Sequence, residues 1–170
     1  GKMELEGETY MTDLGFEVPS QSFHFEGGLK SLVKHYNEFS KPLHKNIFYV
    51  EKSQDNVGVE IALQYIDDYA TKIAAYANNI STAEGGTHVT GFKTSLTRLI
   101  NTYARKAGII KEKDENLTGD DVLEGLTVVI SVKLREIQFE GQTKSKLGSM
   151  EAQGAVATVF SDAFSLFMEE

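Results

Sequence analysis

The residues with the most chemical promise cluster in one short polar stretch, Phe139-Glu-Gly-Gln-Thr-Lys-Ser-Lys-Leu-Gly148, between a strand-like apolar run and an amphipathic run. Gly141 frees the backbone, Gln142 offers an amide donor and acceptor, and Lys144 offers a compact charge of the kind that meets phosphate oxygens. A loop pinned at both ends could present that lysine to a neighbouring site, although a solvated turn would use the same residues. Elsewhere the candidates are thinner. His88 follows a glycine pair at a helix start, where a packed or capping ring is expected ahead of a base or a ligand. The carboxylate pairs Asp67–Asp68, Asp120–Asp121 and Glu169–Glu170 fall in turns, a helix start and a terminus, where solvation and capping explain them. The stretch Glu84-Gly-Gly-Thr-His88 lacks the spacing and the Lys-Ser/Thr of a phosphate-cradling loop. No nucleophile–base–acid set is suggested by local context.

Composition narrows the classes further. Cysteine is absent from the 170 residues, which excludes disulfides and thiolate metal sites and suits a reducing compartment. A formal net charge of −8 argues against a free-standing nucleic-acid binder, because phosphate neutralisation needs concentrated Lys and Arg. No run reaches the roughly 20 apolar residues of a membrane span, so a soluble, cytoplasmic chain with no membrane partner is expected. Gly1, with Met3 and Met11 after it, leads us to expect a fragment rather than a natural start.

The elements that must position these residues are legible in the pattern. Residues 1–21 show no clean period and read as an irregular arm or in part a cloning remnant. The domain is expected over 22–170. From Phe23 a short strand, a turn at Gly27–Gly28 and a helix with Leu29, Leu32, Val33 and Tyr36 on one face are predicted. Three strands follow as an antiparallel meander, with Val59, Ile61, Leu63 and Tyr65 alternating and turns at Asp55–Asn56 and Asp67–Asp68. A long helix carries Val89, Phe92, Leu96, Leu99, Ile100 and Tyr103 on one side and Lys93, Arg98 and Arg105 on the other, and ends at Gly108. Thr118 and Asp121 form a capping-box start to a short helix closed by Gly125. Leu126, Val128, Ile130, Val132 and Leu134 alternate as a fourth main strand. A last helix from Ser149 aligns Ala152, Ala155, Val156, Val159, Phe160, Ala163 and Phe167. The expected class is α+β, with helices on one face of a mostly antiparallel four-stranded sheet and a long C-terminal helix.

Taken in order, His44-Lys-Asn-Ile-Phe-Tyr-Val50, Gly58-Val-Glu-Ile-Ala-Leu-Gln-Tyr65, Asn78-Asn-Ile-Ser-Thr-Ala-Glu-Gly-Gly-Thr-His-Val-Thr-Gly-Phe-Lys-Thr-Ser-Leu-Thr-Arg98, Leu117-Thr-Gly-Asp-Asp-Val-Leu-Glu-Gly-Leu-Thr-Val-Val-Ile-Ser-Val-Lys-Leu134 and the loop above resemble the second, transducer domain of the ATP-hydrolysing half of bacterial type II topoisomerases, DNA gyrase B and its topoisomerase IV relative. The resemblance implies a ribosomal-protein-like fold with a left-handed βαβ crossover. It implies that Gln142 and Lys144 contact the terminal phosphate of ATP held, with Mg²⁺, by a preceding ATP-binding domain, Lys144 being the catalytic contact. Gly141 and Thr143 would shape the loop. Lys93 would face duplex DNA in a cavity between two copies of the protein, and DNA gyrase A would be the other partner. No metal site is expected in the chain itself, and alone it should neither hydrolyse ATP nor cleave DNA. A non-catalytic protein- or nucleic-acid-binding module with the same fold is the rival reading.

Overall fold

The computed structural model describes residues 28–142 and 144–169, together with the backbone of two short strands, β1 (Tyr10–Met11) and β2 (Glu17–Val18), which pair antiparallel. The strand and turn expected at Phe23–Gly27 lie outside the described residues.

Helix α1 (Gly28–Tyr36) leads into the strands β3 (Phe48–Gln54), β4 (Val57–Tyr65), β5 (Lys72–Ala77) and β6 (Ile80–Ser81). Helices α2 (Thr87–Lys106) and α3 (Gly119–Leu123), strand β7 (Leu126–Lys133) and helix α4 (Met150–Met168) complete the order. Two-residue turns join β3 to β4 and β5 to β6. Both need positive φ at each central position, which Asp55 and Asn56 (52° and 66°) and Asn78 and Asn79 (49° and 67°) supply.

The sheet order is β3-β4-β7-β5-β6. The expected meander is therefore corrected: β5 does not pair with β4, because β7 inserts between them, antiparallel to β4 and parallel to β5. The expected four main strands are present, and β6 adds a two-residue edge. Strands β5 and β7 are joined across α2 and α3, a βαβ unit inside a mostly antiparallel sheet.

Register decides which side chains meet. Val50, Ile61, Ile130 and Ala75 form one row across the sheet, facing α2 and α4 in the larger core. The adjacent row, Tyr49, Ala62, Val129 and Ala74, points the other way, because successive strand residues alternate. Leu29, Leu32 and Val33 of α1 pack on that second row. Helices thus cover both faces, not one; the apolar stripe of α1 is sufficient to bury Ala62 and Val129 from the side opposite α2 and α4.

On the larger side, Phe48 of β3 meets Phe160, Phe164 and Phe167 of α4 edge-on, with ring centroids 5.3–5.5 Å apart, and Phe92 of α2 meets Phe160 at 4.8 Å. The two helices approach backbone to backbone: a Cβ on Gly91 would stand 2.5 Å from the Gln153 carbonyl oxygen. Tyr103, expected on the buried stripe of α2, is instead exposed. Thr118 caps α3 as expected, its hydroxyl accepting from the Asp121 N–H at 3.2 Å while the Asp121 carboxylate accepts from the Thr118 N–H at 2.9 Å. The bond from the Thr118 N–H to the ionised carboxylate, and then the Thr118 side chain, lower the Asp121 pKa.

Candidate functional site

The chemistry-bearing loop is built on a miniature three-stranded clamp. Its centre is Ser145–Leu147. On one side Glu140 N–H donates to the Lys146 carbonyl at 2.7 Å and Gly148 N–H to the Gln138 carbonyl at 2.7 Å, around an antiparallel bridge between Phe139 and Leu147. On the other side Glu84 N–H donates to the Ser145 carbonyl at 2.8 Å, Leu147 N–H to the Gly85 carbonyl at 3.0 Å, and Thr87 N–H to the Leu147 carbonyl at 3.1 Å, around a parallel bridge between Gly86 and Leu147. Leu147 is buried in the main core, so the clamp is anchored there.

Polar side chains reinforce the same base. The Ser145 hydroxyl donates to the Glu84 carboxylate. The Lys146 ammonium lies 2.9 Å from Glu140, and its pKa is raised by that hydrogen bond first, then by the charges of Glu140 and Glu84. The Ser149 hydroxyl accepts from the Gln138 N–H at 2.8 Å, and Thr87 donates its hydroxyl to the Ser149 carbonyl at 2.5 Å. The loop therefore leaves β7 and enters α4 through a base tied to the first residues of α2.

Its tip is different. Gly141, Gln142 and Lys144 are exposed, and Lys144 makes no ion pair among the described residues. Gly141 takes φ 84° with nothing within 4 Å of where a Cβ would lie, so glycine there serves the turn and not close packing. Lys144 itself adopts φ 57°, an uncommon conformation for a side chain of its size. Thr143 lies outside the described residues. An amide and an ammonium on a long flexible stem, carried by a rigid base, form a site that can engage an anion brought to it with little reorganisation of the backbone.

The other predicted residues separate from this tip. Lys93 is exposed on α2 and lines two clefts with no loop residue in either, one shared with Asp120, Asp121 and Glu124 of the α3 region and one with Arg98 and Arg105. Arg105 is committed to structure, donating to Asn116 and to the Lys111 and Asp114 carbonyls. His88 is fully buried, its Nε2 3.0 Å from the Thr82 hydroxyl and its Nδ1 without a hydrogen-bond partner among the described residues. Burial lowers its pKa to about 4, so the ring is neutral and packed.

The sequence did not single out Glu84, Ser145, Lys146, Glu140 or Leu147 as a clamp. The available signal was the neighbouring glycine pair: a Cβ on Gly86 would sit 2.3 Å from the Leu147 carbonyl oxygen, so that glycine marks a close backbone approach. Among the described residues no three His, Cys, Asp or Glu side chains converge as a metal site, and no helix is long and apolar enough to cross a membrane.

Comparison with known proteins converges on one family. The family model described as DNA gyrase B matches residues 28–170. DNA gyrase B of Clostridium acetobutylicum is 55% identical over 152 residues, covering 89% of this chain and 24% of its own length; that of Bacillus mycoides is 53% identical over 150 residues, covering 88% and 37%. Among solved structures, the 43K ATPase domain of Thermus thermophilus gyrase B in complex with an aminocoumarin superposes with a TM-score of 0.78 at 41% identity, over 86% of this chain and 39% of that one. The topoisomerase IV ATP-binding domain of Francisella tularensis gives a TM-score of 0.71 at 30% identity, over 86% and 39%. The chain thus spans well under half the length of these relatives. By sequence across its sheet and helices, and by the fold those elements make, it belongs to the DNA gyrase B family.

Proposed function

We propose that the chain is the transducer domain of an ATP-hydrolysing bacterial type II topoisomerase, a gyrase rather than a topoisomerase IV, and that its loop delivers Gln142 and Lys144 to the terminal phosphate of ATP. The observation that carries the reading is the contrast within that loop: a base bonded on two sides and buried at Leu147, and a tip whose amide and ammonium are exposed. Family membership supports it, as do relatives much longer than this chain, one of which is named for its ATPase domain and another for ATP binding.

On this reading ATP and Mg²⁺ are held mainly by residues outside this chain, and the chemistry they supply when bound is phosphoryl transfer to water. Negative charge then spreads over the equatorial phosphate oxygens, and an aimed ammonium stabilises it without forming a bond. Gln142 orients the same oxygens by donating from its amide. Because only the docked arrangement makes these contacts, the intact triphosphate favours docking, and its loss removes the preference. The clamp hands any shift of the loop to α2, and the chain continuing from Gly148 hands it to α4, coupling nucleotide state to DNA strand passage and supercoiling. The partners are a second copy in a dimeric clamp, DNA gyrase A, and duplex DNA in the cytoplasm. Lys93 is the residue offered to DNA; Asp120, Asp121 and Glu124 beside it offset much of its attraction for phosphate.

The test is Lys144→Ala in the full-length protein. Loss of one aimed donor is expected to slow hydrolysis roughly 100- to 1,000-fold, about 2.7–4 kcal/mol. An unchanged rate rejects the assignment.

A further inference from the structure

Glu84 has so far appeared only as part of the clamp, where it is bonded to the residue that directly follows Lys144. We infer that Glu84 is a positioning residue for Lys144, fixing through Ser145 how far and in which direction the ammonium is presented. The inference rests on the proposed contact of Lys144 with the terminal phosphate.

Three observations carry it. First, Glu84 grips Ser145 twice, its backbone N–H on the Ser145 carbonyl at 2.8 Å and its carboxylate on the Ser145 hydroxyl. Ser145 follows Lys144 directly, so those bonds hold the residue next to the lysine by its carbonyl and its side chain. Second, Lys144 sits at φ 57°, where a lysine backbone is unfavourable and persists only when its surroundings determine it. The bonds from Glu84 to Ser145 supply such a determinant on its C-terminal side. Third, Glu84 is itself immobilised. It stands in a turn closed by the Gly85 N–H on the Thr82 carbonyl at 2.9 Å, and Thr82 is buried against the fully buried His88 at 3.0 Å. The route from the main core to the ammonium runs His88, Thr82, Glu84, Ser145, Lys144.

The carboxylate has a second consequence. The loop carries two lysines, and only one can be the delivered cation. Lys146 is paired with Glu140 at 2.9 Å and lies in the field of Glu84, whereas Lys144 has no acidic partner among the described residues. With both acids engaged at the base, Lys144 is the cation available to a phosphate.

The experiment is a double-mutant cycle on ATP hydrolysis by the full-length protein, with thermal melting of each variant as a folding check. Glu84→Ala is expected to lower kcat roughly tenfold to a hundredfold, the cost of displacing a contact by about an ångström, with the KM for ATP little changed. Glu84→Gln keeps an oxygen that accepts from Ser145 and should recover most of the rate. Ser145→Ala removes the other partner and should reproduce the Glu84→Ala loss, so the question stays answerable if one variant folds poorly. The deciding result is Glu84→Ala combined with Lys144→Ala. If Glu84 acts only through the lysine, the pair is no slower than Lys144→Ala alone; a structural role elsewhere would make the losses multiply. Wild-type rates for Glu84→Ala, or multiplying losses, overturn the positioning role while leaving the Lys144 contact intact. Wild-type rates for Lys144→Ala overturn both.

Discussion

Gly86 and Leu147 meet backbone on backbone: a Cβ on Gly86 would stand 2.3 Å from the Leu147 carbonyl oxygen and 2.4 Å from its nitrogen. Gly86 also holds φ 134°, outside the range of ordinary side chains. This one approach joins the first turn of α2 to the base of the loop that carries Gln142 and Lys144, because the flanking bonds from Leu147 to Gly85 and from Thr87 to Leu147 need the two backbones in register.

Gly86→Ala is therefore expected to destabilise the chain by about 2–4 kcal/mol, combining backbone strain with a clash that neither backbone can easily relieve. Gly141→Ala provides the contrast. It has φ 84° but nothing within 4 Å of the added carbon, so only the conformational cost of about 1 kcal/mol applies. Urea unfolding of the two variants should separate them; equal losses would mean that strain alone, and not the Leu147 approach, selects glycine at position 86.

A second prediction concerns the face under α1. Asn37 donates its amide to Gln64 Oε1 at 3.0 Å and accepts the Thr127 hydroxyl at 2.8 Å, with all three residues buried. Gln64 then donates to the His44 carbonyl at 3.1 Å, and the His44 ring accepts from the Tyr65 N–H at 2.9 Å. Asn37→Ala would leave a buried hydroxyl and a buried amide oxygen without these partners. A loss of about 2–3 kcal/mol is expected. Asn37→Ala combined with Thr127→Val and Gln64→Leu should be less destabilised than the sum of the three single changes, since removing the three polar side chains together leaves neither the hydroxyl nor the amide oxygen stranded. Simple additivity in the unfolding free energies would show that the network contributes no more than its separate volumes.

Periodicity made the individual elements readable because each buries a stripe of its own residues. Leu126, Val128, Ile130 and Val132 alternate into the main core, and Val89, Phe92, Leu96 and Leu99 recur at helical spacing on α2. The capping pair Thr118 and Asp121 was readable for the same reason, its logic lying within four residues. Pairing was not. Whether β7 lies beside β5 or at an edge depends on contacts between residues some 55 positions apart, such as Ala75 with Ile130, and no local pattern encodes them. The side on which α1 packs was hidden likewise, because β4 and β7 are apolar on both faces at Ala62 and Val129. In the site, the loop tip was visible through the types of Gln142 and Lys144. Its base was not, since the bonds that tie Ser145–Leu147 to its two flanking segments run between backbone groups, which carry no residue signature.

The buried His88 gives the chain a pH dependence that can be worked out in sign. Burial lowers its pKa to about 4 from the ordinary 6.5, since the charged ring would be desolvated. The unfolded chain thus binds the proton at a pH where the native state refuses it. Stability from this group is fully present above pH 6.5 and is lost as pH falls from 6.5 toward 4, with no further change below that. At pH 4.5 the loss amounts to about 2–3 kcal/mol relative to neutral pH. Replacing the ring by a group that does not titrate, as in His88→Gln, should cost stability at pH 7.5 but flatten the curve between pH 6.5 and about 4.5 by that amount. Carboxylates titrating in the same window contribute to both proteins and cancel in the difference. Parallel curves for the two proteins would show that the imidazole takes up its proton as readily in the folded chain as in the unfolded one, so that burial does not hold the ring neutral.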